Sequence, residues 1–478
     1  MKKLLICVFT LLAVNRVHAQ DITGSWQGSI AVAGINLRVV FNIDKTANGG
    51  YKSTFDSPDQ KAFGIACSKT ILVKDSLYIE IAVIGGGYKG LWDGKKSITG
   101  IYTQGSGKMA LNLKHISADE KAALSKDPVM PQTPRPPFNY VSEDVEYDNS
   151  DKTLHYGATF TRPVRSGKYP AVIIISGSGT QDRDGSIFGH KLYWVLADYL
   201  TNNGIAVLRV DDRGAGKSSL GSNIKDVTSL DFSYDVEASL NYLETRPDID
   251  KKHLGLIGHS EGGMIAPMVA ARRKDVSFIV MWGASEVGGA KINTEQNAYQ
   301  LRKIGVDSAA INAFVSLNTD VLKLFAVSPS VEALDTQIIP VFDAWKKVQT
   351  PEALKALHAT DLTAQDIFKQ YNTLYNMPWM RYFISYDAEK DLAKVKCPVL
   401  AINGTKDTQV DAESNLSLIK DVLTKNGNKN IEVKALPGLN HLLQTAQTGD
   451  LSEYEKIDET MSPAAMKIIS DWIKIHVK

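Results

Sequence analysis

Cysteine is scarce in this chain, with 3 in 478 residues. Cys7 lies in an N-terminal apolar run, and Cys67 and Cys397 stand some 330 positions apart. That excludes a disulfide-stapled scaffold and offers no cysteine-based zinc site, so two buried free thiols are expected. Charge of one sign is also lacking. The formal net charge is +1, and Lys2, Lys3 and Arg16 stand without an acid in the first 19 residues, so the chain from Gln20 onward carries −2. A balance so near zero argues against nucleic acid or an anionic membrane surface as partner. Beyond the N-terminus no apolar run reaches the length of a bilayer span, so no membrane span is expected. Hydrophobic and charged contents of 44% and 22% are those of an ordinary globular protein, which excludes a disordered or fibrous chain. They do not exclude an enzyme.

Residues 1–19 have the layout of a secretory signal peptide. Lys2-Lys3 precede an apolar run from Leu4 to Val14, and Val17-His18-Ala19 end in a small residue before Gln20-Asp21. Asn15 and Arg16 cut the run short of an anchor helix. The protein from Gln20 onward is therefore expected to be exported, to the periplasm or the medium.

Prolines 128, 131, 134, 136 and 137 mark residues 121–140 as an extended linker. Before it, residues 20–120 alternate as strands do, for example Asn36–Ile43, Thr70–Val73 and Ser76–Ile81. Turn signals at Asn48-Gly49-Gly50, Gly85-Gly86-Gly87 and Asp93-Gly94 separate them. A small all-β domain, barrel or sandwich, is expected there. Gly24-Ser25-Trp26 resembles the opening of a lipocalin-like barrel, though a rigid packing domain is the plainer reading.

After the linker, residues 144–147 and 154–160 pair as a hairpin. Short unbroken apolar runs follow at 171–175, 205–210, 254–257, 278–282, 399–402 and 433–436. Strands buried on both faces look like this. Helical stretches at 190–200, 233–243, 263–271 and 412–423 separate them, which predicts an α/β domain over 141–478 with a mostly parallel sheet covered by helices. From about 287 to 393 no strand is evident, and 311–325 and 353–358 read as helices. An insertion that long predicts a helical cap.

The chemistry concentrates in Gly258-His259-Ser260-Glu261-Gly262-Gly263, an apolar strand running through G-x-S-x-G into a helix. Such a turn holds a serine hydroxyl above the sheet. A serine needs a base oriented by a carboxylate, in the chain order Ser, acid, His. The histidines far enough downstream are His441, after the last strand, and His476, near the end of a terminal helix, so His441 is the candidate base. Asp407, on the turn after 399–402, is the candidate acid over Glu286 and Glu413. A tetrahedral oxyanion needs two backbone donors: Glu261, after the nucleophile, and Ser178 in Ser176-Gly177-Ser178-Gly179-Thr180, with Gly179 as the alternative. Gly214-Ala215-Gly216-Lys217-Ser218 is not a phosphate loop, because Asp211 stands where its first glycine belongs. No metal and no cofactor are implied. Arg213 is read as paired with Asp211 or Asp212. The cap segment Pro378-Trp379-Met380-Arg381-Tyr382-Phe383 either lines a pocket or forms the cap's own core.

Together with Asp211-Asp212-Arg213-Gly214-Ala215-Gly216-Lys217-Ser218, these pieces resemble the α/β-hydrolase superfamily over roughly 140–478. The Gly-His-Ser-Glu-Gly-Gly and Asp182-Arg183-Asp184-Gly185 pieces are similar to bacterial exported carboxylesterases with an extra N-terminal β domain. The resemblance implies Ser260, Asp407 and His441 as a triad, a small-molecule ester as substrate, and hydrolysis through an acyl-enzyme. Ser176 departs from the histidine that many esterases carry there. Two other readings are a serine peptidase of the prolyl-oligopeptidase kind and a non-catalytic binding protein on a hydrolase scaffold. Turnover of peptide arylamides but not esters would mark the first, and failure of a fluorophosphonate to label Ser260 the second. Oligomeric state is not legible in the sequence.

Overall fold

The computed structural model describes residues 21–478 apart from 33–34, 61, 105–106, 125–129, 223–225 and 329. The expected signal peptide and Pro128 lie outside the described residues. Between Gly24 and Ile116, nine strands form one antiparallel sheet. The first, Gly24–Val32, pairs with both Ile35–Lys45 and Gly107–Ile116, which curls the sheet into a half-barrel. Strand alternation turns Trp26, Phe41, Leu77, Tyr102 and Leu111 inward, all fully buried. The Trp26 ring meets Trp92 edge-on at 6.4 Å and His115 at 5.0 Å. The interior is thus packed with rings.

The eight strands of the second sheet are numbered β1 (Tyr140–Asp148), β2 (His155–Pro163), β3 (Tyr169–Ile175), β4 (Ala206–Val210), β5 (Ile249–His259), β6 (Val276–Trp282), β7 (Val399–Gly404) and β8 (Ile431–Leu436). Their spatial order is β1-β2-β4-β3-β5-β6-β7-β8. The expected hairpin is β1 and β2, antiparallel to each other, and β2 is antiparallel to β4. From β4 to β8 every pairing is parallel. The unbroken apolar runs have the expected cause, since each strand serves two cores. Ile173, Leu208, Leu256 and Met281 face one layer, while Val172, Ile174, Val207, Ile257 and Val280 face the other. Helices Ser229–Thr245, Glu261–Arg272 and Ala412–Lys425 close the first layer, and Leu192–Asn202 and Pro463–His476 close the second. This is the α/β-hydrolase fold.

Between β6 and β7 the described residues form seven helices, from Gly289–Lys303 to Glu389–Leu392. They share a core that includes Leu317, Val321, Phe325, Phe342, Trp345 and Tyr371, which makes the insertion a cap with its own interior. One of its helices, Ser308–Val327, is long and apolar enough by length and composition to cross a membrane, against the expectation of no such stretch. Its apolar side is used in that core.

Two further expectations are corrected. The proline-rich segment is not simply extended: 118–124 is helical, and Gln132 is docked on the hydrolase body. Its side chain accepts a bond from Met461 N at 3.0 Å and donates to Met461 O at 2.9 Å. Cys67 and Cys397 are free, but half-buried rather than buried. Burial pushes the Cys397 thiol up to about 12.

Candidate active site

Strand β5 ends in a turn whose geometry only this sequence pattern tolerates. Ser260 has φ 57° and ψ −116°, and helix Glu261–Arg272 begins at the next residue. A Cβ on Gly258 would stand 2.0 Å from Gly262 O, and one on Gly262 would stand 2.4 Å from Ile175 O. Neither position admits a side chain. Ser260 N donates to Trp282 O at 2.8 Å, fixing the turn to the end of β6.

Trp282 also fixes the candidate base, because its indole N–H donates to the main-chain oxygen of His441 at 3.0 Å. The His441 ring lies 4.9 Å from that of His259, which in turn lies 4.2 Å from Trp282. After β7 a tight turn presents Asp407. One carboxylate oxygen accepts from Gln409 N and Val410 N at 2.8 and 2.9 Å, and the other meets His441 Nδ1 at 2.6 Å. Both side chains are nearly sealed from solvent, at 4% exposure for His441 and 0% for Asp407. The structure therefore joins the predicted acid and base. Among the described hydrogen bonds none joins Ser260 Oγ to His441, a bond that in unliganded enzymes is often long and tightens around substrate.

The loop after β3 comes up against the serine: a Cβ on Gly177 would lie 3.1 Å from Ser260 Cβ. Gly177 N donates to Tyr193 Oη at 3.1 Å, so that N–H is committed. Ser178 and Gly179, both exposed, remain as the candidate donors facing a substrate. The Asp212 carboxylate grips both ends of the loop, accepting from Ser176 Oγ at 2.6 Å and Gln181 N at 2.8 Å. Burial pushes its carboxyl up to about 7.

A sequence profile of the family described as serine aminopeptidase, S33, matches residues 189–447, more than half of the chain. The chain belongs to this family. Esterase EstD of Thermotoga maritima is 30% identical over 141 residues, which cover 28% of this chain and 32% of that relative, so the chain matches about a third of the relative's length. Among solved structures, esterase Pf2001 of Pyrococcus furiosus aligns at a TM-score of 0.42 and 15% identity over 74% of this chain and 98% of that one. Est1E of Butyrivibrio proteoclasticus, with ferulic acid bound, aligns at 0.39 and 15% over 69% and 96%.

Within this S33 chain the remaining predicted residues sort by contact. Glu286 and Glu413 do not reach His441. Glu286 is buried with both carboxylate oxygens unpartnered, and Glu413 is exposed on the first turn of its helix. His476 Nδ1 meets Trp472 O at 2.8 Å on the terminal helix. Arg213 is not paired with Asp211 or Asp212. It grips Asp235 with two bonds of 2.7 Å, and Tyr156 Oη donates to the same carboxylate at 2.6 Å. Sequence spacing hid this, because Asp235 lies a helix away. Asp211 instead takes Arg183 at 2.5 Å and Lys217 N at 3.0 Å, and Asp184 of the same Asp-Arg-Asp-Gly loop takes Arg209. Both charged motifs are thereby scaffolding around the loop after β3. Among the described residues no group of three or more His, Cys, Asp or Glu side chains converges as metal ligands would.

Four residues have contacts that escaped the sequence reading. Tyr193 holds Gly177, and its hydroxyl also meets His259 Nδ1 at 3.2 Å. Burial holds the His259 imidazole well below its ordinary range, so it backs His441 as a neutral ring. Asp212 was visible in its motif but had no visible loop to hold. Trp379 answers the open question of the cap segment: its indole N–H donates to Glu261 Oε1 at 2.8 Å, and Ser229 Oγ donates to the same oxygen at 2.6 Å. The Glu261 side chain thus bridges body and cap, while its backbone N–H stays at the helix start. Phe383, by contrast, belongs to the sheet's core.

Proposed function

We propose that this chain is an exported serine hydrolase that cleaves carboxylic esters through an acyl-enzyme. The observation that carries the reading is the 2.6 Å contact of His441 Nδ1 with Asp407, sealed from solvent behind the strained Ser260 turn. Asp407 selects the imidazole tautomer that leaves Nε2 as the base. Ser260 Oγ attacks the ester carbonyl and its proton passes to His441. The N–H groups of Glu261 and of Ser178 or Gly179 receive the oxyanion, at about 3–4 kcal/mol for each donor. His441 then gives the proton to the departing alcohol. Water attacks the acyl-enzyme with the same base, which releases the acid and restores Ser260. The name of the Thermotoga relative supports esters as substrates. Export rests on the charge, apolar run and small-residue site of residues 1–19.

The test is hydrolysis of nitrophenyl esters from acetate to decanoate by the protein from Gln20 onward, beside Ser260→Ala. Turnover that drops by about 10⁴-fold or more in the variant is expected. A folded protein that cleaves none of these esters would remove the ester reading. Export is checked by the N-terminus of the cell-derived protein: Gln20 is expected, and an intact Met1 on protein recovered outside the cytoplasm counts against it. A second reading, an aminopeptidase, is favoured by the family profile itself. Release of arylamine from aminoacyl arylamides without ester turnover would put it first.

A further inference from the structure

Beside the candidate site lies a cavity of about 270 Å³. It is bounded by the carboxyl end of β3, helix Ser229–Thr245, the start of the helix after Ser260, and Trp379 from the cap. From this cavity we infer that it takes the acyl half of the substrate, as an uncharged hydrocarbon chain or ring; the inference rests on the ester-hydrolase reading above.

Three observations meet here. The first is position. Gly177, Gly179 and Glu261 border the cavity, and Gly177 also comes against Ser260. Ser260 is not itself a bordering residue, so an acyl carbon on Ser260 reaches the cavity across Gly177, which lies against the serine, and Glu261, which follows it in the chain. The second is direction. The leaving alcohol has to stand within hydrogen-bond reach of His441 to take up its proton. Neither His441 nor Asp407 borders the cavity, and no bordering residue comes from β7, β8 or the loops after them. The alcohol leaves on that other side, so the group that stays on Ser260 is the one the cavity holds.

The third observation is charge and polarity. Phe232, Val236, Ile265 and Trp379 supply apolar walls. The acidic residues Asp211, Asp212, Asp235 and Glu261 are also among the bordering residues, and Arg213 is the cation among them. Arg213 is spent on Asp235 through two bonds. An acyl group carrying its own carboxylate would meet repulsion and no free cation. Both oxygens of Asp212 already accept a hydrogen bond and Glu261 Oε1 accepts two, and a hydrocarbon in the cavity breaks none of these. For scale, an apolar cavity of about 150 Å³ holds benzene, so this one has room for roughly ten carbon atoms.

The experiment measures kcat/KM for two substrate series with the purified protein. One varies the acyl chain from acetate to decanoate with nitrophenol as leaving group and includes the nitrophenyl half-ester of succinate. The other keeps acetate and lengthens the alcohol. Val236→Phe fills the cavity, and Trp379→Ala opens its cap wall. Because Trp379 also touches Glu261, the readout is the octanoate-to-acetate ratio, in which a general loss of rate cancels. Val236→Phe is expected to lower that ratio at least tenfold and Trp379→Ala to raise it, with the alcohol profile unmoved. If Val236→Phe does not fold, Trp379→Ala decides alone. A shift confined to the alcohol series, an acyl profile that neither variant moves, or succinate turned over as fast as butyrate would overturn the inference while leaving ester hydrolysis standing. No ester turnover by the unaltered protein, at the level of Ser260→Ala, would sink both.

Discussion

Neither carboxylate oxygen of Glu286 meets a hydrogen-bond donor, although the side chain is buried at the root of the cap. Burial, with the nearby Asp391 charge adding to it, pushes the carboxyl up to about 8 from an ordinary value of 4.5. In the unfolded chain the proton leaves near 4.5, whereas the folded chain keeps it until about 8. Between those values folding must take up a proton, so stability is greatest below pH 4.5 and falls as pH rises towards 8. At the limit this is roughly 5 kcal/mol. Glu286→Gln keeps the shape and never ionises. Its melting temperature is expected to match the unaltered protein near pH 4.5 and to exceed it increasingly from pH 6 to 8.5. Parallel melting curves across that range would refute the assignment.

At the scale of elements, the Arg213–Asp235 pair ties the loop after β4 to helix Ser229–Thr245, and Tyr156 brings in β2. Asp235 is so enclosed that burial raises its carboxyl despite the guanidinium. Arg213→Ala leaves that carboxylate buried without its counter-charge and with Tyr156 Oη as its remaining donor, which costs about 3–5 kcal/mol. Urea unfolding is expected to show the loss, while fluorophosphonate labelling of Ser260 at low temperature persists. Abolished labelling in folded variant would mean that Arg213 acts at the site. This pair also marks how far the sequence could be read. The strands, the helices between them and the elbow were legible because periodicity and turn chemistry act over a few residues. Asp407 and His441 were legible because the fold dictates their order along the chain. Partners such as Asp235 for Arg213, Asp212 for the loop after β3 and Trp379 for Glu261 are set by packing of elements distant in sequence, which no local pattern encodes. The Pro-rich segment misled for the same reason, since its extended composition says nothing of Gln132 finding the main chain at Met461.

For the molecule as a whole, the half-barrel and the hydrolase body have separate interiors. The ring-filled core drawn from residues 22–113 includes no side chain of the second sheet, and the family match starts only at residue 189. Each unit buries its own apolar residues and meets the requirement for folding by itself. A chain beginning at Met130, which keeps the docked Gln132, is expected to unfold in one transition and to hydrolyse short nitrophenyl esters within about threefold of the full chain. Calorimetry of the full chain is expected to show a further transition. Loss of folding in the shortened chain would show instead that the half-barrel completes the body.

Ser260 sits where a backbone with a side chain rarely goes. Holding a non-glycine residue there costs about 1–3 kcal/mol, and glycine would be relieved of it. Ser260→Gly is therefore expected to raise the melting temperature slightly while removing turnover. A fall in melting temperature would mean that the turn is not strained. The consequence is evolutionary. Under demand for heat resistance alone, this position would drift to glycine and the chain would become a sturdier, inert protein. The serine persists only where the reaction repays the instability it brings.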